Sequence, residues 1–222
     1  MSTSSRLFVA LAVASALSVS ANMGFAKDIA FVVDDPKGRD VVSFNSDAPL
    51  ELIVGTTHKI KGRIVMDDSL DFSKKPFTAT FDVDLSSIDT GIPLRNEHMR
   101  DNFLETAKYP KAVFSVVSVA GKPTVLKDGE TVKVDAVGEF KLHGKSVSKK
   151  IPVEVTLRNN CKTTQEKYAN CDLIQIKSKF PVAFKDHDIK RPEIVFQKLS
   201  DTVIVSVSAT ARYDLPQKAS TK

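Results

Sequence analysis

Apolar and polar residues alternate along most of this chain, a period of two that predicts β-strands with one buried face and one face in water. The pattern is clearest at residues 76–89, PFTATFDVDLSSID, where every second residue from Phe77 to Leu85 is apolar and those between are polar. The same alternation recurs in four later segments, at residues 131–144, 149–159, 172–184 and 201–215. We therefore predict a protein built mainly from antiparallel strands.

Turn signals separate these runs, among them the Asp34-Asp35-Pro36 and His143-Gly144 sequences. They leave eight or nine strands and no long amphipathic helix. The segment Ala112–Ala120 is apolar on both faces, so we expect it to be covered on both. Antiparallel strands with a single dry face form either a sandwich or a closed barrel, and a barrel of about eight strands is just wide enough for its own side chains or one slim ligand. The alternation leaves both architectures open.

One segment, residues 85–110, interrupts the pattern with the charged sequence LSSIDTGIPLRNEHMRDNFLETAKYP. Pro93 suits the first turn of a short helix, and Asp89 or Thr90 could cap it. Arg95, His98 and Arg100 could bind a phosphate or carboxylate head group through charge-assisted hydrogen bonds, or they could form a solvated helix face.

Catalysis by this segment is the weaker hypothesis. An acid–base pair of His98 with Glu97 is disfavoured because adjacent residues on a helix point apart. The four histidines show no metal-ligand spacing. We therefore predict no catalytic residues, no metal and no cofactor.

The N-terminus has the three parts of a secretory signal: Arg6, an uncharged apolar run from Leu7 to Ala21, and small residues at Gly24 and Ala26. This layout predicts a signal peptide at residues 1–26 and a mature domain at residues 27–222 that is exported to the periplasm. No later segment is long and apolar enough to predict a membrane span.

The net charge of +5 comes from scattered lysines without interleaved aromatic residues, a distribution that argues against a nucleic-acid partner. The two cysteines, Cys161 and Cys171, are predicted to form a disulfide, the default in an exported protein.

Several motifs together resemble the YceI-like family of exported polyisoprenoid- or lipid-binding proteins. The stretch SIDTGIPLRNEHMRDNFLETAKYPKAVFSVVSV is similar to the family signature, in which a charged helix is followed by a turn that ends in Tyr-Pro, here Tyr109-Pro110. The segments GEFKLHGKSVSKKIPVEV and FKDHDIKRPEIVFQKLSDTVIVSVSATA resemble the family's next segment and its closing strands. The insertion between the two cysteines departs from the family pattern.

The resemblance implies an all-β fold, an extended antiparallel lipocalin-like β-barrel of about eight strands with a short helical insertion. Such a barrel would hold a long isoprenoid or acyl chain in an apolar interior, as a periplasmic binding or carrier protein. We predict that the chain contacts Phe77, Phe81, Phe114, Phe140 and Phe180, and that Arg95, His98 and Arg100 lie at the mouth. The alternatives are a lipid-modifying enzyme that uses the same cavity and a stress-related structural or interaction module with a filled core. The prediction is compatible with a monomer or a dimer.

Overall fold

A computed structural model describes residues 28–120, 125–159, 172–190 and 198–214. The predicted signal peptide at residues 1–26 and the predicted disulfide between Cys161 and Cys171 lie outside these residues. The described part contains ten strands and one α-helix, α1 (Pro93–His98), which continues into a π-helical turn at Met99–Phe103. The strands are β1 (Asp28–Val33), β2 (Val41–Asp47), β3 (Leu52–Thr57), β4 (Ile60–Asp67), β5 (Phe77–Asp84), β6 (Lys111–Ala120), β7 (Thr131–Leu142), β8 (Lys145–Asn159), β9 (Asp172–Ala183) and β10 (Thr202–Tyr213).

The strands form a closed antiparallel barrel, not a sandwich. Strands β4 to β10 pair in sequence order, β1 pairs with β4, and β1 also pairs back to β10 through Phe31↔Tyr213 and Val32↔Arg212. Strand β2 pairs with β10 beyond β1, and β3 pairs with β2. The barrel therefore has eight strands around its closed section, with β2 and β3 extending the wall at one end. The predicted fold class, an all-β barrel of about eight strands with a short helical insertion, is confirmed.

A polar cluster fills the break between β1 and β2, which run one after the other along the same edge of β10. At the break, the backbone N–H of Thr210 has no strand opposite it and donates instead to Oδ1 of Asp40, at 2.9 Å. Asp35 binds Arg39 and Arg212 across the same break, and the hydrogen bonds from Arg39 hold the pKa of Asp35 well below its usual range. Side chains thus replace the backbone ladder where it is interrupted.

Asp40 offers a test of this replacement. Its side chain is buried, Oδ2 has no hydrogen-bond partner, and burial raises the pKa of the carboxyl group. We expect Asp40→Asn to be as stable as the wild type or more so, because the amide oxygen still accepts from Thr210 and no charge is buried. Asp40→Ala should lose about 1–3 kcal/mol, since it leaves a buried N–H without an acceptor. Urea unfolding at neutral pH measures both, and equal losses in the two variants would contradict the assigned role.

Strand β6 differs from its sequence prediction. Its outer face is not covered: Val117 is 59% exposed. The pairing of β6 with β7 shifts register between Val116 and Ser118, so a β-bulge places Val117 as an extra residue on the outside. Opposite the bulge, the backbone of β7 approaches β6 so closely at Gly138 that a Cβ atom there would lie 2.8 Å from Cα of Val116.

The turn between β7 and β8 follows the prediction, with His143 and Gly144 both at positive φ, 51° and 77°. Inward-facing apolar side chains form two neighbouring clusters, one towards each end of the barrel. No helix in the described ranges is both long and apolar enough to cross a membrane.

Candidate functional site

The barrel interior contains an apolar cavity of about 560 Å³, within the range of about 300–1,000 Å³ typical of ligand sites. Strands β2 to β10 all contribute to its wall. Along β7 the wall extends from Val134 to Leu142, which is about 26 Å at the usual rise of a strand. The interior is therefore open and elongated, which the filled-core alternative does not predict.

All five phenylalanines that the sequence singled out lie in the cavity wall. Phe81 and Phe114 are paired across β5 and β6, and Phe114 is in turn paired with Phe140 on β7. Phe140 packs edge-on against Phe180, with the ring centroids 5.9 Å apart. For four of them the inward side follows from the alternation, whereas Phe114 lies in β6, where both faces are apolar. Contact of the five with a lipid remains a prediction.

Polar groups are sparse in the wall and concentrate towards the end of the barrel that carries β2, β3 and α1. The polar or charged residues in the wall are Ser43, Glu51, Thr57, Thr90, Arg95, His98, Ser178 and Lys198. Within the described ranges, no group of three His, Cys, Asp or Glu side chains could hold a metal ion.

Helix α1 and the turn that follows it cover this end of the barrel. The cavity is lined at this end by Leu94, His98, Met99 and Phe103. We call the segment from Pro93 to Phe103 the lid. The backbone before the lid is fixed to β3, because Thr56 and Asp89 exchange two N–H···O bonds of 2.9 Å each.

The buried side chain of Asn96 organises the entry to the lid. Its Oδ1 accepts from the backbone N–H and the hydroxyl of Thr90, and its Nδ2 donates to Asp89. The prediction that Asp89 or Thr90 caps α1 is wrong: the N-cap is Ile92, without a side-chain bond, because both residues are engaged by Asn96. Pro93 does occupy the first turn, as predicted.

Arg95 ties the lid to the β2–β3 turn on the rim. Its Nη1 forms an ion pair with Glu51 in the β2–β3 turn, while Nε and Nη2 donate to the side-chain and backbone oxygens of Thr90. Three of its donors are thus used within the protein. Arg95 lies at the mouth as predicted, and its contacts there make it a clamp between two parts of the rim.

Of the other two predicted mouth residues, one lines the cavity and one does not. His98 lines the cavity and is exposed on its outer side. Arg100 is half-buried and does not belong to the cavity wall, although Met99 and Phe103 of the same π-helical turn do. Lys198, which sequence reasoning missed, does line the mouth. The segment that carries Lys198 is held beside β2 by a hydrogen bond between residues far apart in sequence. The backbone N–H of Ser200 donates to Oγ of Ser46 in β2, at 2.8 Å.

We expect Arg95→Ala to loosen the lid. A partly exposed ion pair with additional hydrogen bonds is worth about 1 kcal/mol, so hydrogen exchange at the amides of α1 should be faster by about fivefold to tenfold. Exchange in β7 should not change, because its ladder makes no contact with Arg95. The matched control is Arg100→Ala, which removes a cation from the same segment but not from the clamp. Equal acceleration in both variants would show that Arg95 holds nothing in place.

A fully buried histidine, His187, lies behind the cavity wall. Its ring packs edge-on against Phe140, with centroids 5.3 Å apart, and Nε2 has no hydrogen-bond partner. Burial lowers the pKa of His187; Lys149 also lowers it, whereas the Lys145 carbonyl and Asp186 act in the opposite direction. The folded protein therefore keeps this ring neutral at a pH where an exposed histidine is already charged.

This burial should make the fold sensitive to acid. Below pH ~6.5 the unfolded chain binds a proton at position 187 that the folded chain does not, so stability falls as the pH falls. We expect the difference in urea midpoint between pH 7.5 and pH 5 to be smaller in His187→Phe, which keeps a ring but cannot be protonated. An unchanged difference would mean that His187 is not a source of the pH dependence.

Comparisons with known proteins agree with the barrel. The model of the YceI-like domain matches residues 35–211. Among curated relatives, the protein YceI of Escherichia coli O157:H7 is 31% identical over 106 residues, which cover 47% of this chain and 49% of the relative. The matched stretch thus spans about half the length of that protein.

Two solved structures share the fold. One is a polyisoprenoid binding domain from Saccharophagus degradans, with a TM-score of 0.61 and 22% identity, covering 85% of this chain and 99% of that one. The other is BcnA of Burkholderia cenocepacia, with a TM-score of 0.60 and 18% identity, covering 80% and 98%. Because the family model matches most of the chain, from the break after β1 into β10, this protein belongs to the YceI-like family.

Proposed function

We propose that this protein binds one long-chain lipid, isoprenoid-like or acyl, in the barrel cavity and carries it through the periplasm. The observation that carries the proposal is the elongated apolar cavity of about 560 Å³, with polar groups gathered at one end. A chain that leaves water gains about 0.8 kcal/mol for each CH₂ group buried, so such a cavity suffices for tight binding without any covalent chemistry.

The arrangement of polar groups gives the bound lipid a direction. The chain would lie among Phe77, Phe81, Phe114, Phe140 and Phe180, and its head group would lie near His98 and Lys198. Arg95 is assigned to holding the lid over the chain, since its donors are engaged with Glu51 and Thr90. Arg100 has no place in this head-group site, because it is absent from the wall.

Three further points support a carrier. The Saccharophagus degradans domain that shares the fold is a polyisoprenoid binding domain. The N-terminal sequence, with its charged, apolar and small-residue parts, is that of an exported protein. Among the polar residues of the described wall, no histidine is hydrogen-bonded to a serine or threonine hydroxyl, which is one common arrangement for acyl transfer.

A chain-length series tests the proposal. We expect the affinity of the delipidated protein for linear alcohols or fatty acids to rise about fourfold for each added CH₂ until the cavity is filled, and then to level off. Isothermal titration at fixed pH measures this rise. An affinity that is independent of chain length, or no binding at any length, would contradict a lipid cavity.

A further inference from the structure

Exposed apolar side chains concentrate at the end of the barrel that the lid covers. Among the described residues, seven large apolar side chains are strongly exposed, and five of them lie in two stretches beside the mouth. These five, which we call the apolar collar, are Leu50, Leu52, Val54, Ile92 and Leu94, with exposed fractions from 43% to 66%. A soluble protein gains nothing from such a cluster unless another apolar surface covers it.

The two stretches of the collar are joined into one surface. The exchange of backbone bonds between Thr56 and Asp89 holds the chain before α1 beside β3. The Arg95–Glu51 ion pair joins α1 to the turn that contains Leu50. Residues that are about 40 positions apart in sequence are therefore neighbours on the rim.

The collar is also continuous with the cavity. Ile92 and Leu94 are exposed outside and line the cavity inside. On β3, Leu52 and Val54 point outwards, while Ile53 between them points into the cavity. A chain that enters or leaves through this rim would pass from one apolar surface directly to another.

We propose that the apolar collar docks on the surface of an electrically neutral lipid bilayer, so that the ligand passes between membrane and cavity without entering water. This inference rests on the proposed lipid-binding function, since it identifies where the lipid comes from. Without docking, each CH₂ exposed to water during transfer would slow the step by about fourfold, which for a long chain makes transfer through water very slow.

The charge and backbone of the rim define how it would dock. In residues 47–54 and 89–101 together with Lys198, five acidic side chains outnumber three basic ones, so an anionic surface is the poorer partner. In the described sheet β3 pairs with β2 alone, apart from the bridge at Thr56. Unpaired backbone groups are costly in hydrocarbon, so only the collar side chains should insert, at the depth of the head groups.

The test compares two double variants on phosphatidylcholine vesicles. Leu50→Ser with Leu52→Ser removes the two most exposed of the five collar residues, neither of which belongs to the cavity wall. The matched control, Val117→Ser with Val125→Ser, changes the two other strongly exposed apolar residues of the described part. We expect the fraction of the collar variant that floats with the vesicles to be about tenfold lower than that of the wild type. The rate at which it takes up a fluorescent long-chain lipid from the vesicles should fall by a similar factor. The control should behave as the wild type.

The outcomes separate docking from lipid binding. Final lipid occupancy, measured after addition from ethanol without vesicles, should be the same in the wild type and both variants. No occupancy in the wild type would refute the lipid-binding function. Normal occupancy with equal vesicle uptake in both double variants would refute docking alone.

A dimer formed through the collar would also refute docking. In that case the wild type would not bind vesicles, analytical ultracentrifugation would show a dimer, and the collar variant would be a monomer, because the collar would cover a second copy of the protein. Binding only to vesicles that contain phosphatidylglycerol would equally contradict a neutral partner.

Discussion

Replacing Ala136 with phenylalanine should weaken lipid binding on the order of 100-fold and leave the fold intact. Ala136 lies on β7 in the cavity wall, where a larger side chain would project into the space assigned to the lipid chain. If the new ring excludes about four CH₂ groups of the ligand, the loss is about 3 kcal/mol, which corresponds to this factor. Titration of the delipidated variant with the best ligand of the chain-length series measures the change.

The control for this variant is Val137→Phe, which places the same ring on the next residue of the strand, facing outwards. It should bind lipid as the wild type does. Thermal stability adds a second readout, because overpacking a filled core usually costs about 1–3 kcal/mol, whereas filling an open cavity does not. Lipid binding that survives in Ala136→Phe would mean that the ligand lies elsewhere, and a strong loss of stability would mean that the interior is already filled.

The second large effect concerns the fold. Gly138→Ala should destabilise the protein by about 3 kcal/mol or more, because the added Cβ would overlap the carbonyl oxygen of Ser115 on the adjacent strand. The atoms in the way belong to the backbone of β6 at its bulge, so the two strands would have to separate. Urea unfolding measures the loss.

A second glycine provides the comparison. At Gly62 an added Cβ would meet Cδ1 and Cε1 of Phe81, whose ring can turn into the open cavity, and it would lie 3.1 Å from the backbone oxygen of Thr80, which need give only a few tenths of an ångström. We therefore expect Gly62→Ala to lose only about 1 kcal/mol. If Gly138→Ala were no more destabilising than Gly62→Ala, the close approach of β6 and β7 would not be a feature of the folded protein.

Much of the barrel could be predicted from the sequence, because strand faces, helix starts and tight turns depend on residues that are close together in the chain. The period of two assigned most strand residues to the inner or outer face, and it predicted the inward side for four of the five selected phenylalanines. The fifth, Phe114, lies in β6, where both faces are apolar. Pro93 and the His143-Gly144 pair marked a helix start and a tight turn through their backbone preferences alone. Whether the strands form a barrel or a sandwich depends on pairing between distant strands, and the resemblance to a family decided that question.

The features that the sequence did not predict depend on contacts between distant residues. Arg95 looked like a free cation because its partner, Glu51, is 44 positions away. Asp40 gave no sign that it completes the ladder of β10, since Thr210 is 170 positions away. The bulge in β6 was hidden because an extra valine in an apolar run leaves the alternation ambiguous, and this produced the wrong expectation of a strand covered on both faces.

The most direct test of the central claim is native mass spectrometry of the protein purified without detergent. We predict a species heavier than the polypeptide alone by the mass of one long-chain lipid, which organic extraction removes and added lipid restores. The Ala136→Phe variant should lack this species, and Val137→Phe should retain it. A wild-type protein that is consistently recovered without lipid, and that takes up neither polyprenyl nor acyl ligands, would contradict a lipid carrier.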